Sequence, residues 1–176
     1  MKGIGVADDE SLEDFEGPPA ITRGLAFVPA LSGLGCPYWD RSAAGLWLGF
    51  GLDTARADLG RSVLEGVALR AAQLLERFEA IAGRPAALPI DGGLTNNEYF
   101  CRFLADAAGV EVMVPALAEI TGLGAARMAL LGAGLAANAE ALPPLPPPAR
   151  RYAPTRDLGD ARERFAEAVE RARRWK

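Results

Sequence analysis

The stretch Leu88-Pro-Ile-Asp-Gly-Gly-Leu-Thr-Asn-Asn-Glu-Tyr-Phe-Cys101 constrains the fold more than any other part of the chain. It reads as the end of a buried strand, a glycine turn and the first residues of a helix. Leu88 and Ile90 supply the strand's apolar side chains. Gly92-Gly93 lacks Cβ atoms, so the backbone can take positive φ and let a ligand come close. Thr95 or Asn96 is a suitable N-cap for the helix that follows. A glycine turn between a strand's carboxyl end and a helix N-terminus suits a phosphate-bearing ligand, because free amides and the helix dipole favour negative charge there. The same pattern also serves as a tight connection with no ligand, as in many α/β folds. The residues alone leave both readings open.

The chain has 176 residues, about one domain, and half of them are apolar. It is long enough to bury a core without metals or disulfides. The net charge of −4 argues against a nucleic-acid surface, which needs clustered basic residues. The sequence has no histidine, so any acid–base work falls to carboxylates or to residues outside this chain. Cys36 and Cys101 form no Cys-x-x-Cys pair. The acidic N-terminus lacks a secretory pattern, and no apolar run is long enough to span a membrane. A cytoplasmic setting with reduced thiols is the expectation.

Residues 1–23 are acidic and turn-rich, with a short helical turn expected at Ser11–Phe15. They read as a connecting segment whose preceding element is missing. Gly24–Ala30 is an expected strand with Pro29 near its end. The Gly- and aromatic-rich loop Ser32–Asp40 is expected to be packed, either as a structural cover or on a ligand's side. Gly45–Leu52 is a second short extended segment.

Thr54 is expected to cap a long helix over Ala55–Ala82, ended by Gly83. Leu59, Val63, Val67, Leu74, Phe78 and Ile81 recur at near-helical spacing, which predicts the core face. Glu65, Arg70, Glu76 and their charged neighbours are then the solvated face.

A helix over Asn96–Ala108 with Phe100, Phe103, Leu104 and Ala107 inward follows the glycine turn, and Gly109 ends it. Val110–Pro115 is a strand. Thr121 is expected to cap a Gly/Ala-rich helix ending near Gly132, whose small residues predict close packing against another backbone. Its Gly-x-Gly does not meet the dinucleotide fingerprint.

Leu142–Pro148 is extended, either a stiff connector or a ligand for a proline-reading domain. A charged helix beginning at Asp157 or Gly159 closes the chain. The working division is a connecting segment at 1–23, a core at 24–140, a Pro-rich connector at 141–156 and a terminal helix at 157–176. The alternation of strands and helices predicts an α/β fold with helices layered on a sheet.

Phe27-Val-Pro-Ala-Leu-Ser-Gly-Leu-Gly-Cys-Pro-Tyr-Trp-Asp40 resembles the C-terminal domain of the FGGY family of carbohydrate kinases. The resemblance continues through Leu64-Glu-Gly-Val-Ala68, Ile90-Asp-Gly-Gly93 with Asn97, Phe103-Leu-Ala-Asp106 and Glu119-Ile-Thr-Gly-Leu-Gly-Ala-Ala126. Asp91 before the glycines, together with the Gly33–Trp39 loop, is most similar to the glycerol kinase branch. The resemblance implies a ribonuclease-H-like (actin-like ATPase) domain, truncated at its N-terminal side, from a two-domain enzyme hinged around a cleft.

The resemblance further implies that Gly92 permits the turn, that Gly93 sets its backbone against an adenine nucleotide and that Asn97 hydrogen-bonds near it. ATP or ADP with Mg²⁺ is the implied ligand, held mainly through its phosphates. The family's catalytic base, polyol site and phosphate-contacting hairpins fall in a segment upstream of residue 1. No catalytic or metal-ligating residue is therefore assigned here. Asp40 and Asp53 read as turn or cap residues, and Asp106 as a helix-surface residue.

The implied function is part of the ATP-binding half of a polyol kinase that is not competent alone, with the missing N-terminal kinase domain as partner. A non-catalytic nucleotide-binding or assembly remnant, or a kinase of the xylulose or gluconate branch, are the alternatives. Uncovered apolar surface predicts a homo-oligomer.

Overall fold

A computed structural model describes residues 17–117 and 120–175. The expected turn at Ser11–Phe15 and the motif residue Glu119 lie outside the described residues. The elements are β1 (Ala26–Val28), β2 (Leu46–Leu48), α1 (Arg56–Ala82), β3 (Ala87–Pro89), α2 (Glu98–Ala108), β4 (Glu111–Pro115), α3 (Ile120–Gly132), β5 (Pro148–Tyr152) and α4 (Gly159–Ala172). Short 3-10 turns occupy Ile21–Arg23, Gly93–Asn96 and Ala139–Ala141. The alternation is the expected α/β pattern.

The strands form two small sheets. β1 and β2 are antiparallel, with Phe27 opposite Trp47. β3 runs parallel to β4, with Leu88 opposite Val112, and β5 lies antiparallel on the far side of β4. Val112 and Val114 of β4 join the core with Phe103 and Leu104 of α2. Phe165 and Val169 of α4 enter the same core.

Strand β5 departs from the connector expected over 141–156. Pro148 opens the strand, where a missing N–H costs little, and Arg150 to Tyr152 pair with β4. Residues 143–147 before it and 153–156 after it belong to no strand.

Helix α1 spans 27 residues, about 40 Å at 1.5 Å per residue. Its first helical residue follows Ala55, and the cap differs from the one expected. The Thr54 hydroxyl accepts from the Gly51 amide, while the Asp58 carboxylate accepts from the Ala55 amide. Gly83 ends the helix at φ +80°, as expected.

The buried face of α1 is also not the expected one. Leu64, Ala68, Leu69 and Ala72 are buried, whereas Phe78 is 64% and Ile81 86% exposed. The helix carries two apolar stripes on opposite sides, and the tertiary fold covers the one containing Glu65. Gly66 makes this possible: a Cβ there would sit 2.1 Å from the Phe27 carbonyl oxygen. α1 thus crosses β1 nearly backbone to backbone.

Glu65, read from the sequence as solvated, is 1% exposed. Its carboxylate accepts from the amides of Ala20 and Ile21, both at 2.8 Å, and from the Tyr99 hydroxyl. Asp106 is likewise not on the surface. It is 9% exposed, and its carboxylate accepts from the Thr155 amide at 2.6 Å and the Arg156 amide at 3.1 Å, tying α2 to the β5–α4 connection. Asp40 does act in a turn, accepting from the Ser42 amide at 2.8 Å. In the same loop Tyr38 lies between the guanidinium groups of Arg70 and Arg173, each 5.1 Å from its ring.

Helix α3 buries none of its residues, and a Cβ on Gly122, Gly124 or Gly132 would meet nothing within 4 Å. Within the described residues, these three glycines have no other backbone packed against them. Thr121 stands inside the helix rather than before it.

Candidate functional site

The parallel pair β3 and β4 places two connections side by side at its carboxyl end. Residues 90–97 leave β3, and the residues after Pro115 leave β4 towards α3. A cavity of about 520 Å³ opens between them, lined by Asp91, Gly92, Gly93, Thr95, Thr121 and Arg150, among others. That volume suits a small-molecule ligand. Carboxyl ends of parallel strands are where open α/β sheets take their ligands. A second, apolar cavity of about 400 Å³ adjoins it, sharing Asp91 and Pro115 and lined further by Met113, Ile120 and Leu145.

The turn is built from local hydrogen bonds. The Asp91 carboxylate accepts from the Gly92 amide at 2.7 Å. The Thr95 amide and hydroxyl both donate to the Gly92 carbonyl, at 3.0 and 2.8 Å. Gly92 has φ +101°, a conformation side chains resist, so its glycine is required by the backbone. Gly93 differs: its φ is ordinary, and a Cβ there would meet no protein atom within 4 Å. Nothing inside the described chain demands a glycine at 93. What the missing side chain leaves is open access to the backbone.

The helix cap expected at Thr95 or Asn96 falls on Asn97, because a 3-10 turn over Gly93–Asn96 precedes α2. The Asn97 side chain accepts from the Phe100 amide at 2.7 Å. Gly92 and Gly93 line the cavity. Asn97 is not among its lining residues and stands behind the turn, half-buried at the start of α2.

Arg150 was not singled out by sequence reasoning. It lies on β5, the strand hidden in a Pro-rich stretch, and it reaches the turn: its Nη2 donates to the Thr95 carbonyl at 2.8 Å. The Cys101 thiol donates to the same carbonyl at 3.4 Å, and burial pushes that thiol's pKa up. Residues 148–152, Pro-Ala-Arg-Arg-Tyr, do not alternate apolar with polar, so periodicity gave no signal for this strand.

Behind the turn, Tyr99 stacks on Phe103 with ring centroids 5.9 Å apart and donates to Glu65. Burial holds the Glu65 carboxyl above its usual range against the hydrogen bonds from Tyr99, Ile21 and Ala20 and the Arg61 charge. Burial, together with the Glu65 charge, also pushes the Tyr99 phenol up. Among the described residues, no group of three His, Cys, Asp or Glu is placed to hold a metal ion, and no helix is long and apolar enough to cross a membrane.

Comparison with known proteins gives a consistent result. Residues 6–133 match the sequence profile of the FGGY family of carbohydrate kinases, C-terminal domain. A glycerol kinase from Rhodospirillum rubrum is 44% identical over 120 residues, covering 68% of this chain and 24% of the relative. One from Aromatoleum aromaticum is 37% identical over 179 residues, covering 98% of this chain and 36% of the relative. The chain thus spans about a third, or less, of the length of these relatives.

Among solved structures, Plasmodium falciparum glycerol kinase with ADP superposes at a TM-score of 0.75, with 25% identity, over 97% of this chain and 35% of that one. Xylulose kinase from Bifidobacterium adolescentis, at 24% identity, shares the fold at a TM-score of 0.71, over 95% of this chain and 32% of that one. The fold is therefore that of the actin-like sugar kinases. The chain belongs to the FGGY family of carbohydrate kinases and carries that family's C-terminal domain.

Proposed function

We propose that the chain supplies part of the nucleotide-binding half of a kinase that transfers the γ-phosphate of ATP to a hydroxyl of a glycerol-like polyol. One observation carries this reading: neither the backbone angle nor packing within the described chain requires a glycine at position 93, which lines the cavity beside Gly92. A close-approaching ligand accounts for it, and the ADP named with the Plasmodium relative supplies the ligand class. Mg²⁺ accompanies the nucleotide on its phosphates. Gly92 shapes the turn, Gly93 admits the nucleotide to the backbone, and Asn97, at the start of α2, hydrogen-bonds near the nucleotide.

Phosphoryl transfer needs a positioned base and a cleft that excludes water. Asp40 and Asp106 are engaged in hydrogen bonds to backbone amides. The base and the acceptor site are assigned to the portion of the relatives' length that this chain does not span. The chain then acts with that portion as partner, in the cytoplasm, and has no transferase activity alone.

The occupied aspartates also favour a second reading, in which the chain binds nucleotide or assembles without any catalytic role. The nucleotide binding on which the first reading depends is tested by calorimetric titration with ADP and Mg²⁺, comparing the wild type with Gly93→Ala. Binding that the substitution weakens at unchanged thermal stability supports the nucleotide reading. No binding up to millimolar ADP overturns it.

A further inference from the structure

We propose that Arg150 is a positioning residue of the nucleotide site: from strand β5 it locks the Gly92–Asn97 turn into its ligand-accepting shape through the Thr95 carbonyl. The inference rests on the nucleotide reading above and extends it to a residue on a different element.

The Thr95 carbonyl is the keystone of the turn. Thr95 is buried, its amide and hydroxyl both close the turn onto Gly92, and its carbonyl faces the other way. That carbonyl lies inside the 3-10 turn, two residues before the Asn97 cap, and so precedes the regular ladder of α2. Two side chains hold it instead: the Arg150 guanidinium at 2.8 Å and the weaker Cys101 thiol at 3.4 Å. A charged donor makes the stronger hydrogen bond.

Arg150 is itself held at 3.3 Å from the Tyr152 hydroxyl, two residues along the same strand, while Tyr152 is buried in the core. The chain of support therefore runs from core to β5, from Arg150 to Thr95, and from Thr95 to Gly92. Arg150 also lines the same cavity as Gly92 and Gly93, so moving it changes both wall and turn. Lysine offers one compact ammonium group on a similar stem but cannot reproduce the planar fork.

The test titrates the whole chain with ADP plus Mg²⁺ and, separately, with adenosine, using the wild type, Arg150→Met and Arg150→Lys. Thermal midpoints and hydrogen exchange of the turn are measured alongside. Arg150→Met is expected to weaken ADP and adenosine by the same factor, tenfold or more, and Arg150→Lys to recover part of the loss. Exchange at the Thr95 and Asn97 amides is expected to quicken while β4 stays protected.

Unchanged affinity with unchanged exchange overturns the inference. A loss confined to ADP, with adenosine unaffected, also overturns it, because Arg150 would then be a phosphate contact. If Arg150→Met does not fold, the Lys variant decides by the same criteria. If the wild type binds neither ligand, the nucleotide reading falls, and exchange alone judges Arg150: quickened exchange retains it as the residue that sets the turn, and unchanged exchange removes it.

Discussion

The Tyr99 hydroxyl donates to the Glu65 carboxylate across 2.5 Å, joining the first turn of α2 to the middle of α1. The same carboxylate holds the amides of Ala20 and Ile21. One buried acid thus anchors three segments, and α2 begins directly after the candidate nucleotide turn. Because burial raises the Glu65 pKa, the native state binds this proton more tightly than the unfolded chain. The Glu65 contribution therefore falls as pH rises from its unfolded value through the raised native one. Glu65→Gln removes that slope. It also turns an amide NH₂ towards one backbone donor, costing about 1–3 kcal/mol. Urea midpoints from pH 4 to pH 8 check this: parallel curves for the two proteins would refute it.

Gly66 predicts a steric outcome. A Cβ would lie 2.1 Å from the Phe27 carbonyl oxygen and 3.3 Å from the Phe27 ring, so Gly66→Ala must push α1 away from β1. Helix propensity alone would make alanine the better residue. Overpacking costs roughly 1–3 kcal/mol or more, and here it outweighs propensity. A denaturation midpoint at or above wild type for Gly66→Ala would contradict the close crossing.

Asn97 combines a cap with a proposed ligand role, and two substitutions separate them. Asn97→Ala loses the acceptor for the Phe100 amide and should cost about 0.5–2 kcal/mol. Asn97→Asp keeps the acceptor, with a charge that suits a helix N-terminus. If the residue only caps, Asp binds ADP as the wild type does. The proposed role predicts an Asp variant of wild-type stability with weakened ADP affinity, read by calorimetry next to a thermal melt.

Much of this architecture is legible in the residues because glycines mark its corners. Gly83, Gly92 and Gly109 all take positive φ where the chain turns, and the elements between them fall close to their expected ranges. The features that escaped depend on partners distant in sequence. Glu65 looks like any exposed helix acid until Ala20, Ile21 and Tyr99 converge on it. β5 is masked by the prolines before it, and with it Arg150. Periodicity found a real stripe on α1, but with apolar residues on two opposite sides, spacing alone does not say which one the core takes.

That second stripe carries the last prediction. Leu59, Val63, Val67 and Leu74 are half-buried along it, and Phe78 and Ile81 are exposed near the end of the helix. Helix α3 adds Met128, 60% exposed. Apolar surface of this kind marks contact sites. The expected outcome is that the chain associates with itself in solution, and that Phe78→Ser with Ile81→Ser shifts it towards monomer. Both side chains are exposed, so the thermal midpoint at low concentration should stay close to wild type. Light scattering coupled to size exclusion reads the mass directly. A wild type that stays monomeric at every concentration refutes the association. An oligomer untouched by the double substitution instead moves the contact to the α3 side, where Met128→Ser would be the variant to dissociate it.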